Sequence, residues 1–200
     1  GNLVFILPTG KYIGNSRYKD VFAASTTADL TSFRNHWGAE TSLDVALYRP
    51  VARYELVAKD VATFLNKLST GGLKGESFTA RVKYSDYLPT GYNLWDDVPK
   101  NSLMYMEYKV AFERPADGTK DLQLGFDYVL TDAGETVPIP VELEILNEKN
   151  EVLARTAFRI PCERGKNTTV RGNFLTSDIN GGIGIDPDYD GDLEVDLGEL

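Results

Sequence analysis

The sequence predicts an all-β fold, an antiparallel β-sandwich carrying one short α-helix. Three observations point there. Apolar residues alternate with polar ones in run after run, the pattern of strands with one buried face. Turn signals stand between the runs, at Asp117-Gly118, at Ala133-Gly134 and in "NEKN" from Asn147 to Asn150. Links this short favour antiparallel neighbours, because a parallel pair needs a crossover of about a dozen residues or more. A single segment abandons period two for helical spacing. With 200 residues, 42% of them hydrophobic and 11% aromatic, the chain can build one sizeable core, or one domain plus a fragment of another.

In chain order, residues 1–40 are the least regular. "NLVFIL" and "DVFAAST" fit strands, whereas "YIGNSRYK" and "TSFRNHWGAE" carry no period. This region reads as the remnant or linker of an upstream N-terminal β domain, or as an extension packed on the main sandwich, which takes residues 41–200. Gly1 running at once into "NLVFILP" reads as a trimmed start or a mature fragment. "SLDVALY" then places Leu43, Val45 and Leu47 on one face. "KDVATFLNKLSTGG" spaces Val61, Phe64, Leu65 and Leu68 for a helix, with Asp60 as its N-cap and Gly71-Gly72 ending it.

Five strands with a buried face follow. "SFTARVKY" turns in Phe78, Ala80, Val82 and Tyr84, and "LMYMEYKVAF" turns in Met104, Met106, Tyr108, Val110 and Phe112. "DLQLGFDYVL" aligns Leu122, Leu124, Phe126, Tyr128 and Leu130, and "VPIPVELEIL" aligns Val137, Ile139, Val141, Leu143 and Ile145. "EVLARTAFRI" closes the series with Val152, Ala154, Phe158 and Ile160. Pro138 and Pro140 are two apart, so their missing N–H groups face the same neighbour. Either that strand begins at a sheet edge, or the prolines stiffen its first residues.

The formal charge of −9 disfavours nucleic acid, whose binding is driven by Lys and Arg. Its distribution is uneven. From Asp178 to Leu200 there are eight acids and no base, which leaves 22 acids against 21 bases elsewhere. No apolar run is long enough to span a membrane. Cys162 is alone, so it has no partner for an internal disulfide, and at the end of "FRIPC" it reads as a buried structural thiol. His36 is the one histidine and reads as a surface residue. The standard phosphate loops, the nucleophile elbow and the zinc-binding histidine pair are missing from the sequence. Thirty acids leave a carboxylate hydrolase open as a remote reading.

Two features remain as candidate sites. "SDYLPTGYNLWDDVPK" has no strand alternation and reads as a loop carrying Tyr87, Tyr92 and Trp95, which either stack on sugar rings or a partner, or fold back and bury one another. "GIGIDPDYDGDLEV" sets Asp186, Asp188, Asp190 and Asp192 at alternate positions with Gly191 among them, matching the first half of a calcium loop. Position twelve of such a loop is Leu197 instead of Glu, and Leu193, Val195 and Leu197 read as a strand. A turn between two short strands is the stronger reading, with calcium as the one cofactor left open.

Several phrases together resemble a family of Bacteroidales surface proteins: "LYRPVARYELVAKD", "VKYSDYLPTGYNLWDDVP", "IPCERGKNTTVRGNFLT" and "GGIGIDPDYDGDLEV". The family carries a C-terminal domain of unknown function grouped with fimbrillin-like proteins. The resemblance implies transthyretin-like or immunoglobulin-like β-sandwich domains in an exported, extracytoplasmic protein at the cell surface or outer membrane, with membrane contact only through a lipid anchor on the precursor. It implies work in adhesion or fimbria-like assembly, with other surface or fimbrial subunits, or a host or bacterial surface protein or glycan, as partners. It transfers no catalytic residue. Two readings follow: a noncatalytic structural or adhesion module, and a carbohydrate-binding module using Tyr87, Tyr92 and Trp95.

Overall fold

The computed structural model describes residues 3–5, 12–36, 38–177 and 193–196. In chain order the elements are β1 (Leu3–Phe5), β2 (Val51–Ala58), α1 (Val61–Ser69), β3 (Ser77–Tyr84), β4 (Leu88–Asn93), β5 (Val98–Leu103), β6 (Glu107–Glu113), β7 (Leu122–Leu130), β8 (Thr136–Asn147), β9 (Val152–Glu163), β10 (Asn167–Gly172) and β11 (Leu193–Asp196). Two four-stranded sheets, ordered β11-β10-β2-β7 and β6-β3-β8-β9, form the sandwich, and β1-β4-β5 make a third, smaller sheet. The all-β expectation with one short helix holds. Its strictly antiparallel form needs one exception, since β10 runs parallel to β2.

The core lies between the two four-stranded sheets. Tyr54 and Leu56 of β2 and Leu124 of β7 meet Val82 and Tyr84 of β3, Leu143 and Ile145 of β8, and Phe158 and Ile160 of β9. Helix α1 closes one end by burying Val61, Phe64 and Leu65. Neither β2 nor β10 stands among the strands expected above, although Ala52, Tyr54, Leu56 and Ala58 alternate in the expected way and are all buried.

Four expectations need correction. The run "SLDVALY" forms no strand, and Leu43, Val45 and Leu47 are exposed, because alternation has no structural consequence without a partner strand. Asp60 precedes the helix but makes no cap bond with its side chain. Its carboxylate instead accepts from the Leu175 N–H at 3.0 Å, the Thr176 N–H at 2.8 Å and the Thr176 hydroxyl at 2.8 Å, tying the segment after β10 over the helix start. Most of residues 85–100, read as loop, belong to the β4–β5 hairpin, with Pro89 opposite Ser102 and Pro99 opposite Tyr92. The fourth concerns β7, whose apolar residues do not share one face.

The cause is a bulge in the β2–β7 ladder between Leu56 and Val57, where the register skips Leu124. Leu124 faces the main core, whereas Tyr128 and Leu130 turn to the opposite side and pack with Val51 and Tyr92 beneath the hairpin. Asp127 stands opposite the core residue Tyr54 and therefore points inward, fully buried. An extra residue in a strand inverts its inward and outward positions beyond that point.

The doublet of prolines behaves as the edge reading requires. Thr136–Pro140 pairs with β9 alone among the described strands, and the ladder to β3 starts at Val141. The N-terminal segment packs on the sandwich. Strand β1 pairs with β4, Asn15 N–H donates to the Phe126 carbonyl at 2.8 Å, and Tyr12 and Lys19 enter the interior.

Candidate functional site

The β4–β5 hairpin is locked at its tip by one carboxylate. Asp97, in a left-handed conformation with φ 58°, accepts from the Tyr92 hydroxyl at 2.6 Å, from the Tyr48 hydroxyl and from Arg164 Nη2 at 2.9 Å. Arg164 also donates to the Tyr92 hydroxyl at 2.9 Å and stacks over the Tyr48 ring at 4.5 Å. Burial opposes the charge on Asp97, but these hydrogen bonds outweigh it and hold the carboxyl below its usual value. Burial first, and the bond to Asp97 second, push the Tyr92 hydroxyl well up.

Tyr92, expected on the ligand-facing loop, is thus a structural anchor only 1% exposed. Trp95 is presented at the turn, 82% exposed, where its N–H donates to Asn93 Oδ1 at 3.0 Å. Tyr87, 62% exposed, precedes β4 and so lies at the other end of the hairpin from Trp95. The structure therefore does not unite Tyr87, Tyr92 and Trp95. A strand rising about 3.3 Å per residue holds Tyr87 and Trp95 some 20 Å apart or more.

The most exposed aromatic among the described residues, which sequence reasoning missed, is Tyr105, 86% exposed and at φ 62° between β5 and β6. A bulky residue in the left-handed region is uncommon and is a pointer to function. A signal existed: with Met104 and Met106 assigned inward, period two turns Tyr105 outward. Beside it opens a cleft of about 260 Å³ lined by Lys83, Tyr84, Ser85, Met104, Met106, Glu107 and Glu142. Here Lys83 pairs with Glu142 at 2.9 Å.

Asp186, Asp188, Asp190 and Asp192 lie outside the described residues, and among the described residues no group of three or more His, Cys, Asp or Glu side chains is placed to hold a metal. Cys162 is buried, and burial, helped by the charge of Asp127, pushes its thiol up to about 12. His36 is exposed, with Nδ1 3.0 Å from the Ser32 carbonyl. No helix among the described residues is long and apolar enough to cross a membrane.

One prediction arises from the lock. Arg164→Met removes the cation from Asp97 and a donor from Tyr92, at partly exposed positions, and is expected to cost about 1–2 kcal/mol. Urea unfolding measures this, and an unchanged midpoint would show that the hairpin tip holds without the guanidinium.

The profile of a family of unknown function (DUF6562) matches residues 1–198. No curated protein matches the chain. Three solved structures, each of a "putative cell adhesion protein", are similar at 12% identity: from Bacteroides ovatus with TM-score 0.38, Parabacteroides distasonis with 0.40 and Bacteroides eggerthii with 0.37. The matches cover 76%, 74% and 76% of this chain and 45%, 52% and 56% of those structures, so the chain spans about half their length. A likeness this loose carries no argument about function.

Proposed function

Because the chain belongs to the DUF6562 family, whose function is unknown, its role has to be read from its surface, and we propose a noncatalytic cell-surface module, adhesive or structural. It engages protein partners through aromatic side chains set at both ends of the β4–β5 hairpin. The observation that carries this reading is the exposure of Trp95, 82%, at the tip of a hairpin pinned by Asp97 and Arg164, and of Tyr105, 86%, just beyond its last strand. Large rings on a fixed scaffold lose little entropy when a partner covers them, which is why such rings are frequent anchors of interfaces. A role as a fimbrial subunit or accessory protein, the finer form of the same reading, draws its support from the fimbrillin-like phrases of the sequence and from the half-open first residues of β8.

A second reading, glycan binding, is favoured by the cleft beside Tyr105, where Glu107, Glu142 and Lys83 offer polar partners next to an aromatic face. One experiment separates the two. The purified chain is applied to a glycan array and to a panel of immobilised bacterial and host surface proteins, with Trp95→Ala and Tyr105→Ala beside it. Protein binding that falls by roughly 30-fold in either variant, with thermal unfolding unchanged, is the expected result, corresponding to about 2 kcal/mol for an interface anchor. Glycan binding lost in Tyr105→Ala alone would transfer the function to the second reading. Binding indifferent to both rings would remove the hairpin from either.

A further inference from the structure

A buried cluster beneath the hairpin owes nothing to the adhesive reading. We propose that Lys19 and Asp127 are joined covalently, through an amide between the lysine Nζ and the aspartate side-chain carbonyl carbon, an intramolecular isopeptide bond. Their side chains are 4% and 0% exposed, and Nζ is in contact with Oδ1. Three further groups surround the carboxyl. Tyr12 donates its hydroxyl to Oδ2, Tyr84 donates to Oδ2 at 2.6 Å, and the Tyr128 N–H donates to Oδ1 at 2.8 Å. Lys19 Nζ in turn donates to the Tyr12 oxygen at 2.7 Å. Tyr12 therefore bridges the amine and the carboxyl oxygen that has to leave.

That bridge supplies the proton traffic condensation needs. An ammonium has no free electron pair, and a carboxylate is a poor electrophile, so the ion pair must first become a neutral pair. One proton passes from Nζ to the Tyr12 oxygen while the Tyr12 proton passes to Oδ2. Burial favours this exchange, since both charged forms lose hydration inside the core; it already pulls the Lys19 amine down, against the opposing attraction of Asp127. The amine then attacks the carboxyl carbon and the C=O electron pair moves onto Oδ1, where the Tyr128 N–H is aimed. As the intermediate collapses, the C–Oδ2 bond breaks and a second Nζ proton reaches Oδ2 through Tyr12. A C–N bond has formed, one water has left, the amide keeps one N–H, and no oxidant or reductant is required.

The bond would fasten residues 12–20, which precede a largely exposed run to residue 47, to strand β7 at the edge of its four-stranded sheet. Intact-mass spectrometry of the unfolded full chain tests it. The expected mass is lighter than the sequence mass by one water, and Lys19→Arg restores the full mass. Trypsin digestion of the wild-type protein should yield Tyr18–Arg34 linked to Asp121–Lys149, a product that decides the matter even where the variant does not fold. A full-mass wild-type chain that unfolds cooperatively would overturn the proposal. So would a water loss that persists in Lys19→Arg, which would belong to a cyclised Asp117-Gly118 instead.

Discussion

Replacing Asp127 by alanine is expected to lower the stability of the protein by at least about 3–5 kcal/mol, the cost typical of removing one partner from a buried charged pair, to which the loss of the cross-link adds once the pair has condensed to the amide. The substitution takes the common acceptor from Tyr12, Tyr84 and Lys19 and leaves an amine in the core with no carboxyl group beside it. The Tyr84 hydroxyl keeps Tyr54 at 2.7 Å and Tyr12 at 3.5 Å, whereas among the described residues the hydrogen bond left to the amine is the one to the Tyr12 oxygen. Since a domain is stable by only about 5–15 kcal/mol in total, the loss is a large fraction of what holds it folded. In a thermal melt it should appear as a fall on the order of 10 °C. The triple change Tyr12→Phe, Lys19→Met and Asp127→Leu should recover the part of that loss that comes from unpaired polar groups, because an apolar replacement of the cluster leaves neither the amine nor the carboxyl behind, but it does not restore the cross-link. A cost below about 1 kcal/mol for Asp127→Ala would mean that the N-terminal segment is not seated on β7 in solution.

The second large effect depends on pH and belongs to the outer face of the β6-β3-β8-β9 sheet. Glu144, fully buried, stands in register between Arg81 of β3 and Arg155 of β9. Arg81 Nε donates to it at 2.7 Å and Arg155 Nη2 at 2.6 Å, and Lys83 lies at 3.0 Å. Burial alone would raise the Glu144 carboxyl, but the bonds from Lys83, Arg81 and Arg155 prevail and bring it down from 4.5 to about 2. A carboxyl group lowered on folding stabilises the protein above its unfolded value, and that stability is lost as pH falls toward the folded one. The group is therefore expected to contribute about 3 kcal/mol at neutral pH. This contribution should disappear between pH 4.5 and about 2. Urea unfolding of the wild type and of Glu144→Gln, followed from neutral pH to about pH 2, should show a gap that closes over this interval. A gap of constant size would assign it to hydrogen bonding that does not depend on the carboxylate charge.

Much of this architecture was legible in the residues. The alternation in "SFTARVKY", "VPIPVELEIL" and "EVLARTAFRI" names the inward side chains of β3, β8 and β9, and the helical spacing of Val61, Phe64 and Leu65 marks α1 and its buried face. The prolines of "VPIPVEL" announce a strand with one free side where it begins, and their effect is local enough to read without a partner. The candidate site was legible only in part. Trp95 and Tyr87 are exposed, one of the two outcomes the loop reading left open, but Tyr92 is an anchor and Tyr105 takes the outward place that the methionine pattern implied. Pro89, Gly91 and Pro99 hid the hairpin, because each is a poor strand former whose cost is met here by tertiary contacts.

What the sequence determined by itself is the period, and hence the all-β class, the one amphipathic helix and the burial of Cys162. What only the tertiary structure decided is which faces meet. Leu43, Val45 and Leu47 have the period without a neighbour and stay in water, while the bulge at Leu124 turns Asp127 into the core and Tyr128 out of it. Lys19 reaches that carboxylate from far away in the chain, as Arg164 reaches Asp97. Alternation records which side chains share a side of a strand; which side is buried, and what charge waits there, depends on the register and on partners remote in sequence.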